Sequence, residues 1–261
     1  MIKRLFKIFA LVLLVNNLPA MALSISEEAD SAYSADNFQE AAALYKKIIE
    51  TEGNSPVLQY NLGNCYYRMG ELGNSLIAYE RALRLDPRFE EARINLEFVN
   101  SKIIDRPGES GSFLSNLFDR TANQARSNVW ASIGMGLFAL TIASLFVYFF
   151  SAGLAYRKIG FFSSIVFFFL TLGALILSFR ARQISTNNDI AIITSPSVIL
   201  STSPREPKDR NEEAMLLHEG TKVEIIDSVT SRTDSVSIKW LEVQIDNSHR
   251  AWIKSSDLER I

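Results

Sequence analysis

Tyr60-Asn61-Leu62-Gly63-Asn64-Cys65-Tyr66-Tyr67, continued by Gly70, Tyr79, Ala82 and Leu85-Asp86-Pro87, is the stretch on which the fold turns. Compared with itself at an offset of 34 residues, the chain places Phe38 over Leu72, Ala41 over Ser75, Tyr45 over Tyr79 and Ile49 over Leu83. That period predicts stacked helical hairpins: one hairpin cannot bury its apolar face alone, so neighbours build a core and leave a concave surface. N-terminal to the quoted stretch, residues 22–55 carry a weaker copy whose first helix is short and lacks the Leu-Gly pair. C-terminal to it, Ala92, Leu96, Val99 and Ile103 recur at helical spacing, which predicts a capping helix. Ile94 and Phe98 lie off that stripe and form either an apolar docking patch or a contact for the following linker.

The 56–89 segment resembles the tetratricopeptide repeat (TPR) family, with Ser75 where the family prefers Ala. The resemblance implies protein binding rather than catalysis, through first-helix side chains that line the groove: Tyr60, Asn64, Tyr67 and Arg68. Asn64 would hydrogen-bond a bound backbone and Arg68 would meet a carboxylate. The two-lysine carboxylate clamp of some chaperone adaptors is absent, because Tyr60 stands at the usual Lys position. Tyr66 is expected to pack, Tyr67 to pack or to bind, and Cys65 to be a buried, inert thiol.

The apolar residues are concentrated further along. Trp130 to Phe150 and Ile159 to Phe179 are uncharged runs, each long enough at about 1.5 Å per residue to cross a hydrocarbon core. Ser132, Gly136, Ala139 and Ala143 form a small-residue stripe on the first run, and Thr171, Ala174 and Ser178 form one on the second, so the runs are expected to pack on each other. Neither carries an ionisable group, which argues against an ion pathway. Between Asp105 and Asn128, Phe113, Leu114, Leu117 and Phe118 cluster at helical spacing; they predict either a short interfacial helix or an extension of the first span.

Charge and targeting give the compartment. Residues 23–104 hold 8 Lys and Arg against 13 Asp and Glu, and residues 189–261 hold 9 against 13, while residues 105–188 hold 7 against 3. No soluble stretch is basic overall, so nucleic acid is an unsuitable partner. Lys3, Arg4 and Lys7, an apolar run from Ile8 to Val15 and the triplet Ala20-Met21-Ala22 read as an export signal cleaved after Ala22. Arg157 and Lys158 fit a cytoplasmic loop at 151–158, whereas Arg120, Arg126, Arg180 and Arg182 favour the reverse orientation; the export signal decides for an inner-membrane protein with both soluble domains periplasmic.

From Asp189 the periodicity changes to 2. Candidate strands are Ile190–Thr194, Val198–Ser201, Ala214–His218, Thr221–Asp227, Trp240–Ile245 and Arg250–Ile253, with a long loop from Ser228 to Ser237. The order resembles bacterial SH3-like domains and implies a small β barrel, with Ala251 where that family usually has Gly. Alternation along the fifth segment leaves Trp240 as an exposed aromatic on a binding face or as an edge-packed Trp.

The fold class that follows is multidomain: an export signal (1–22), an α-helical TPR solenoid (23–104), a linker (105–129), a two-helix membrane hairpin (130–150 and 159–179), a second linker (180–188) and an SH3-like barrel (189–261). That order resembles the BatE-like family of the Bat aerotolerance operon. The resemblance implies a non-enzymatic membrane scaffold assembling with Bat-type membrane proteins that carry von Willebrand A-like domains. The alternative is a cell-wall sensor or anchor gripping peptidoglycan. No catalytic residues, metal site or cofactor are expected: the sequence holds no Ser/His/Asp set, metal-spaced His/Cys cluster or phosphate-cradling Gly loop.

Overall fold

The computed structural model describes residues 25–105, 113–233, 236–246 and 248–261; the expected export signal and the Arg106-Pro107-Gly108 turn lie outside the described residues. Helices run over residues 25–34 (α1), Phe38–Glu52 (α2), Pro56–Met69 (α3), Leu72–Leu85 (α4), Glu90–Asn100 (α5), Phe113–Ala122 (α6), Ser127–Phe150 (α7) and Leu154–Thr186 (α8). Among the described residues seven strands follow: Ile190–Ile193 (β1), Ser197–Ser201 (β2), Glu213–His218 (β3), Lys222–Thr233 (β4), Val236–Gln244 (β5), Arg250–Lys254 (β6) and Leu258–Arg260 (β7). The chain forms two compact units, one of α1–α5 with the sheet and one of α6–α8.

Local chemistry sets the hairpins. Ser55 caps α3 by accepting the Leu58 N–H at 3.2 Å, with Pro56 in the first turn. Gly70, at φ 84°, ends α3 in the left-handed conformation that glycine adopts without strain. The Leu62-Gly63 pair has a steric reason: a Cβ on Gly63 would lie 2.7 Å from the Tyr79 ring, so only glycine lets α3 and α4 approach this closely. Ser75 suits its position for a related reason, since its hydroxyl donates to the Gly63 carbonyl at 3.0 Å where alanine would only pack.

Helix α4 is buried on two sides. Ala78 joins the α1–α3 core with Ala41, Tyr45, Leu62 and Cys65. Leu76, Ile77 and Tyr79 form a second cluster with Val99, Ile103, Ile192 of β1 and Ile261. The helical hairpins and the sheet are therefore joined through a shared apolar core rather than by a linker alone. Polar contacts reinforce the junction: Gly73 N–H donates to Glu219 Oε1 at 2.7 Å, Lys222 meets Glu80 at 2.8 Å and Arg81 meets Glu259 at 2.8 Å.

The sheet is antiparallel, in the order β3-β2-β6-β5-β4-β1-β7. It is open, not the closed barrel expected from sequence. Its last strand, β7, is short, and the main-chain oxygens of Arg260 and Ile261 are taken by Arg81 and Arg84 of α4 at 2.6 and 2.7 Å, so that edge is covered instead of pairing back to β3. The Ser228–Ser237 loop is also corrected. Val229, Thr230, Thr233, Val236 and Ile238 suit extended backbone, and they continue the β4–β5 ladder to the pair Thr233–Val236.

In the second unit α7 and α8 pack antiparallel, and both are long and apolar enough to cross a membrane. The α7 stripe differs from the sequence reading. Ser132, Gly136, Ala139 and Ala143 are exposed, and Gly134, Thr141 and Ser144 face α8. Opposite them stand Gly160, Ser164, Thr171 and Ala174, the last two as expected. A Cβ on Gly160 would lie 2.7 Å from the Ser144 carbonyl oxygen, and this backbone approach selects the face. Helix α8 also begins before the expected span, so Arg157 and Lys158 belong to its first turns rather than to a loop.

Candidate functional site

Four residues were expected to line a partner groove on α3. Tyr60 is half-buried, its ring 6.0 Å from Tyr79 and 5.2 Å from Phe89. Asn64 is engaged inside the chain: its Oδ1 accepts the Tyr79 hydroxyl at 2.6 Å and Asn95 Nδ2 at 3.0 Å. Burial pushes the Tyr79 phenol up to about 12, so it remains a hydrogen-bond donor throughout the physiological range. The Asn64 side-chain oxygen thus ties α3 to α4 and α5.

Tyr67 stacks edge-on against Phe98 of α5 at 5.7 Å, and its hydroxyl accepts from Lys102 Nζ at 2.7 Å. The Lys102 ammonium lies 4.9 Å from the Tyr67 ring centre and 4.6 Å from that of Phe98, within cation–π range of both. Arg68 meets a carboxylate supplied by its own chain, Asp36 at 3.0 Å, while its guanidinium sits 4.3 Å over Phe38. Asp36 holds a φ of 61° in the α1–α2 turn, which brings its side chain to α3.

Ile94 and Phe98, the candidate apolar docking patch on α5, face solvent in the structure. Ile94 is 56% exposed and Phe98 51%. Applying the 34-residue offset once more places Ile94 under Tyr60, Phe98 under Asn64 and Lys102 under Arg68. The two apolar residues off the capping stripe of α5 are therefore the third row of groove positions. The same offset is present in the sequence alone.

Trp240 is corrected as an exposed aromatic on a binding face. It is only 4% exposed, paired across the sheet with Val229 and Lys254, whose ammonium lies 6.0 Å from the ring centre. Leu241, Val243 and Ile245 enter the sheet core as the alternation predicts. Cys65 is fully buried, and burial raises its thiol to about 11, which leaves it protonated and unreactive. His218 hydrogen-bonds Asp105, and His249 hydrogen-bonds Asp246.

Residues 56–89 match the family model of the tetratricopeptide repeat. This segment is a tetratricopeptide repeat. The chain is similar to tetratricopeptide repeat protein 16 of Mus musculus, 29% identical over 83 residues, which is 32% of this chain and 11% of that protein. It is also similar to the protein CTR9 homolog of Arabidopsis thaliana, 29% identical over 94 residues, 36% of this chain and 8% of that protein. The chain thus spans about a tenth of the length of the curated relatives it matches. Tetratricopeptide repeats mediate protein–protein interaction, and the aromatic, partly apolar surface across α3 and α5 has the chemistry for it.

Proposed function

We propose that this protein is a non-enzymatic membrane scaffold that captures a partner protein on the α3–α5 face. One observation carries the reading: Ile94 and Phe98 are half exposed at groove positions of a tetratricopeptide solenoid, beside the Tyr67–Lys102 pair. Side chains of this size at solvent call for a cover, and a helix or extended segment with apolar anchors and an acidic group for Lys102 fits.

Membrane anchoring is supported by α7 and α8, whose outer surfaces expose Phe146 at 61%, Phe149 at 70% and Phe169 at 65%. The export signal adds a periplasmic location for the soluble unit. The element order supports a place in a Bat-type envelope assembly, with von Willebrand A-like membrane proteins as partners and the C-terminal sheet as a divergent SH3-like module. Peptidoglycan gripping has less support, since Trp240, the candidate aromatic for a binding face on the C-terminal sheet, is buried.

The test is site-specific photocrosslinking from Phe98 in the full chain in native membranes. The expected result is a crosslinked partner protein that disappears when Ile94→Asp is added. Absence of a crosslink from both Phe98 and Val57, each exposed, in native membranes would overturn the reading.

A further inference from the structure

Helix α6 is a separate element, not an extension of α7: the turn at residues 123–125 divides them. Two contacts fix where α6 sits in its unit. Asp119, in its second turn, makes a two-pronged ion pair with Arg180, Oδ1 to Nε at 2.6 Å and Oδ2 to Nη2 at 2.9 Å. The carbonyl of Ala122, at its last residue, accepts the indole N–H of Trp130 at 3.2 Å.

Those partners mark a plane. Arg180 is the first charged residue after the uncharged run from Ile159 to Phe179, and Trp130 lies in the first turn of α7. Ser178 Oγ donates to the Ser127 carbonyl at 2.9 Å, so the start of α7 and the end of the apolar stretch of α8 stand at the same level. In a bilayer that level is the boundary between acyl chains and headgroups, where a first charge and a tryptophan settle. Asp119 places the middle of α6 at that boundary.

Asp119 and the fully buried Ala122 face the other helices; Leu117, 51% exposed, points away from them, and Phe118, 50% exposed, lies on the flank between. Large apolar side chains held at that depth, with the polar side of the helix already engaged, need lipid rather than water around them.

We infer that α6 is a membrane-surface helix that inserts Leu117 and Phe118 into the acyl–headgroup boundary of the bilayer, locked at that depth by the Asp119–Arg180 pair. The inference rests on the reading that α7 and α8 cross the bilayer.

The experiment is spin labelling of the full chain in lipid nanodiscs, with single variants Leu117→Cys, Phe118→Cys, Phe146→Cys in mid-span and Glu97→Cys in water; Cys65 is buried and stays unlabelled. Relaxation by oxygen, which partitions into lipid, is compared with relaxation by a water-soluble nickel chelate. The expected result is lipid-like access at positions 117 and 118, shallower than at 146 and opposite to 97. Lipid-like access at 146 with water-like access at 117 and 118 overturns the inference and leaves the spans standing. Protection from both agents at 117 and 118 overturns it in favour of a protein contact. Water-like access at 146 removes the spanning reading itself, and the inference with it.

Discussion

The Asp105 carboxylate accepts three donors from the 218–221 turn: the His218 backbone N–H, the His218 ring Nδ1 at 3.1 Å and the Thr221 hydroxyl at 3.0 Å. Burial alone would raise this carboxyl, but the hydrogen bonds from His218 and Thr221 outweigh it and hold it below the usual carboxylate range. A residue just past the end of α5 is thus gripped by a sheet turn more than a hundred positions away in sequence.

A pH-dependent contribution follows. Because the folded-state pKa is depressed, the stabilisation is present in full above the unfolded carboxylate value, about 4, and is lost as pH falls through the folded value. Asp105→Ala strands donors in a partly buried turn, so a loss of about 1–3 kcal/mol is expected at pH 7. Thermal unfolding of wild type and variant should converge only once the pH has dropped below the depressed folded value, under the ordinary carboxylate value of about 4. An equal difference at both pH values would mean that the carboxylate charge contributes nothing.

The same junction has a steric test. A Cβ on Gly73 would lie 2.6 Å from the main-chain oxygen of Ile193, and that oxygen cannot move freely because it accepts the Gly220 N–H at 2.8 Å. Gly73→Ala should gain about 1 kcal/mol of helix propensity. Overpacking against a fixed backbone costs about 1–3 kcal/mol, so the net change is destabilising. A lowered melting temperature checks it; Gly136→Ala, with open space around its Cβ, supplies the comparison in which the propensity gain is not offset by overpacking.

That junction also marks what the sequence could and could not convey. The repeat was legible because its rules are local: the Leu62-Gly63 pair, Gly70, Ala82 and Pro87 stand at the family's spacing, and Tyr45 and Tyr79 repeat at the 34-residue offset. Strands β1, β2, β3 and β6 were legible from alternation within a residue or two. The shared core of Leu76, Ile77, Ile192 and Ile261 was not, because an apolar residue on a helix does not say which distant strand will cover it. Trp240 shows the same limit: alternation assigned its side of the strand but not whether that side was buried. On α3, Asn64 carried the family's groove position, and only the partners on α4 and α5 show its oxygen engaged internally.

Folding and binding can be separated along the groove. Asn64→Ala removes the acceptor of Tyr79 and Asn95, and leaving a buried phenol unpaired should cost about 1–3 kcal/mol of stability. Phe98→Ala truncates a half-exposed ring, so stability should change by less than about 1 kcal/mol while partner capture falls at least several-fold, as for a groove anchor. Parallel melts and pull-downs of the two variants check the division. A pull-down undiminished by Phe98→Ala would move the binding surface away from α5.

The two small-residue stripes of α7 give opposite expectations. Gly160 of α8 lets the helices meet, since its Cβ would fall 2.7 Å from both the Ser144 oxygen and the Tyr148 nitrogen. Both are backbone atoms within a helix and cannot swing aside, so Gly160→Leu should force the hairpin apart. Gly136 lies on the stripe that points outward, with nothing within 4 Å of its Cβ, and Gly136→Leu should only add apolar surface. Cysteine pairs at facing positions Gly134 and Ala174 report the difference through oxidative crosslinking in membranes. Crosslinking should persist with Gly136→Leu and fall sharply with Gly160→Leu; the reverse pattern would mean that the hairpin packs through Ser132, Gly136, Ala139 and Ala143.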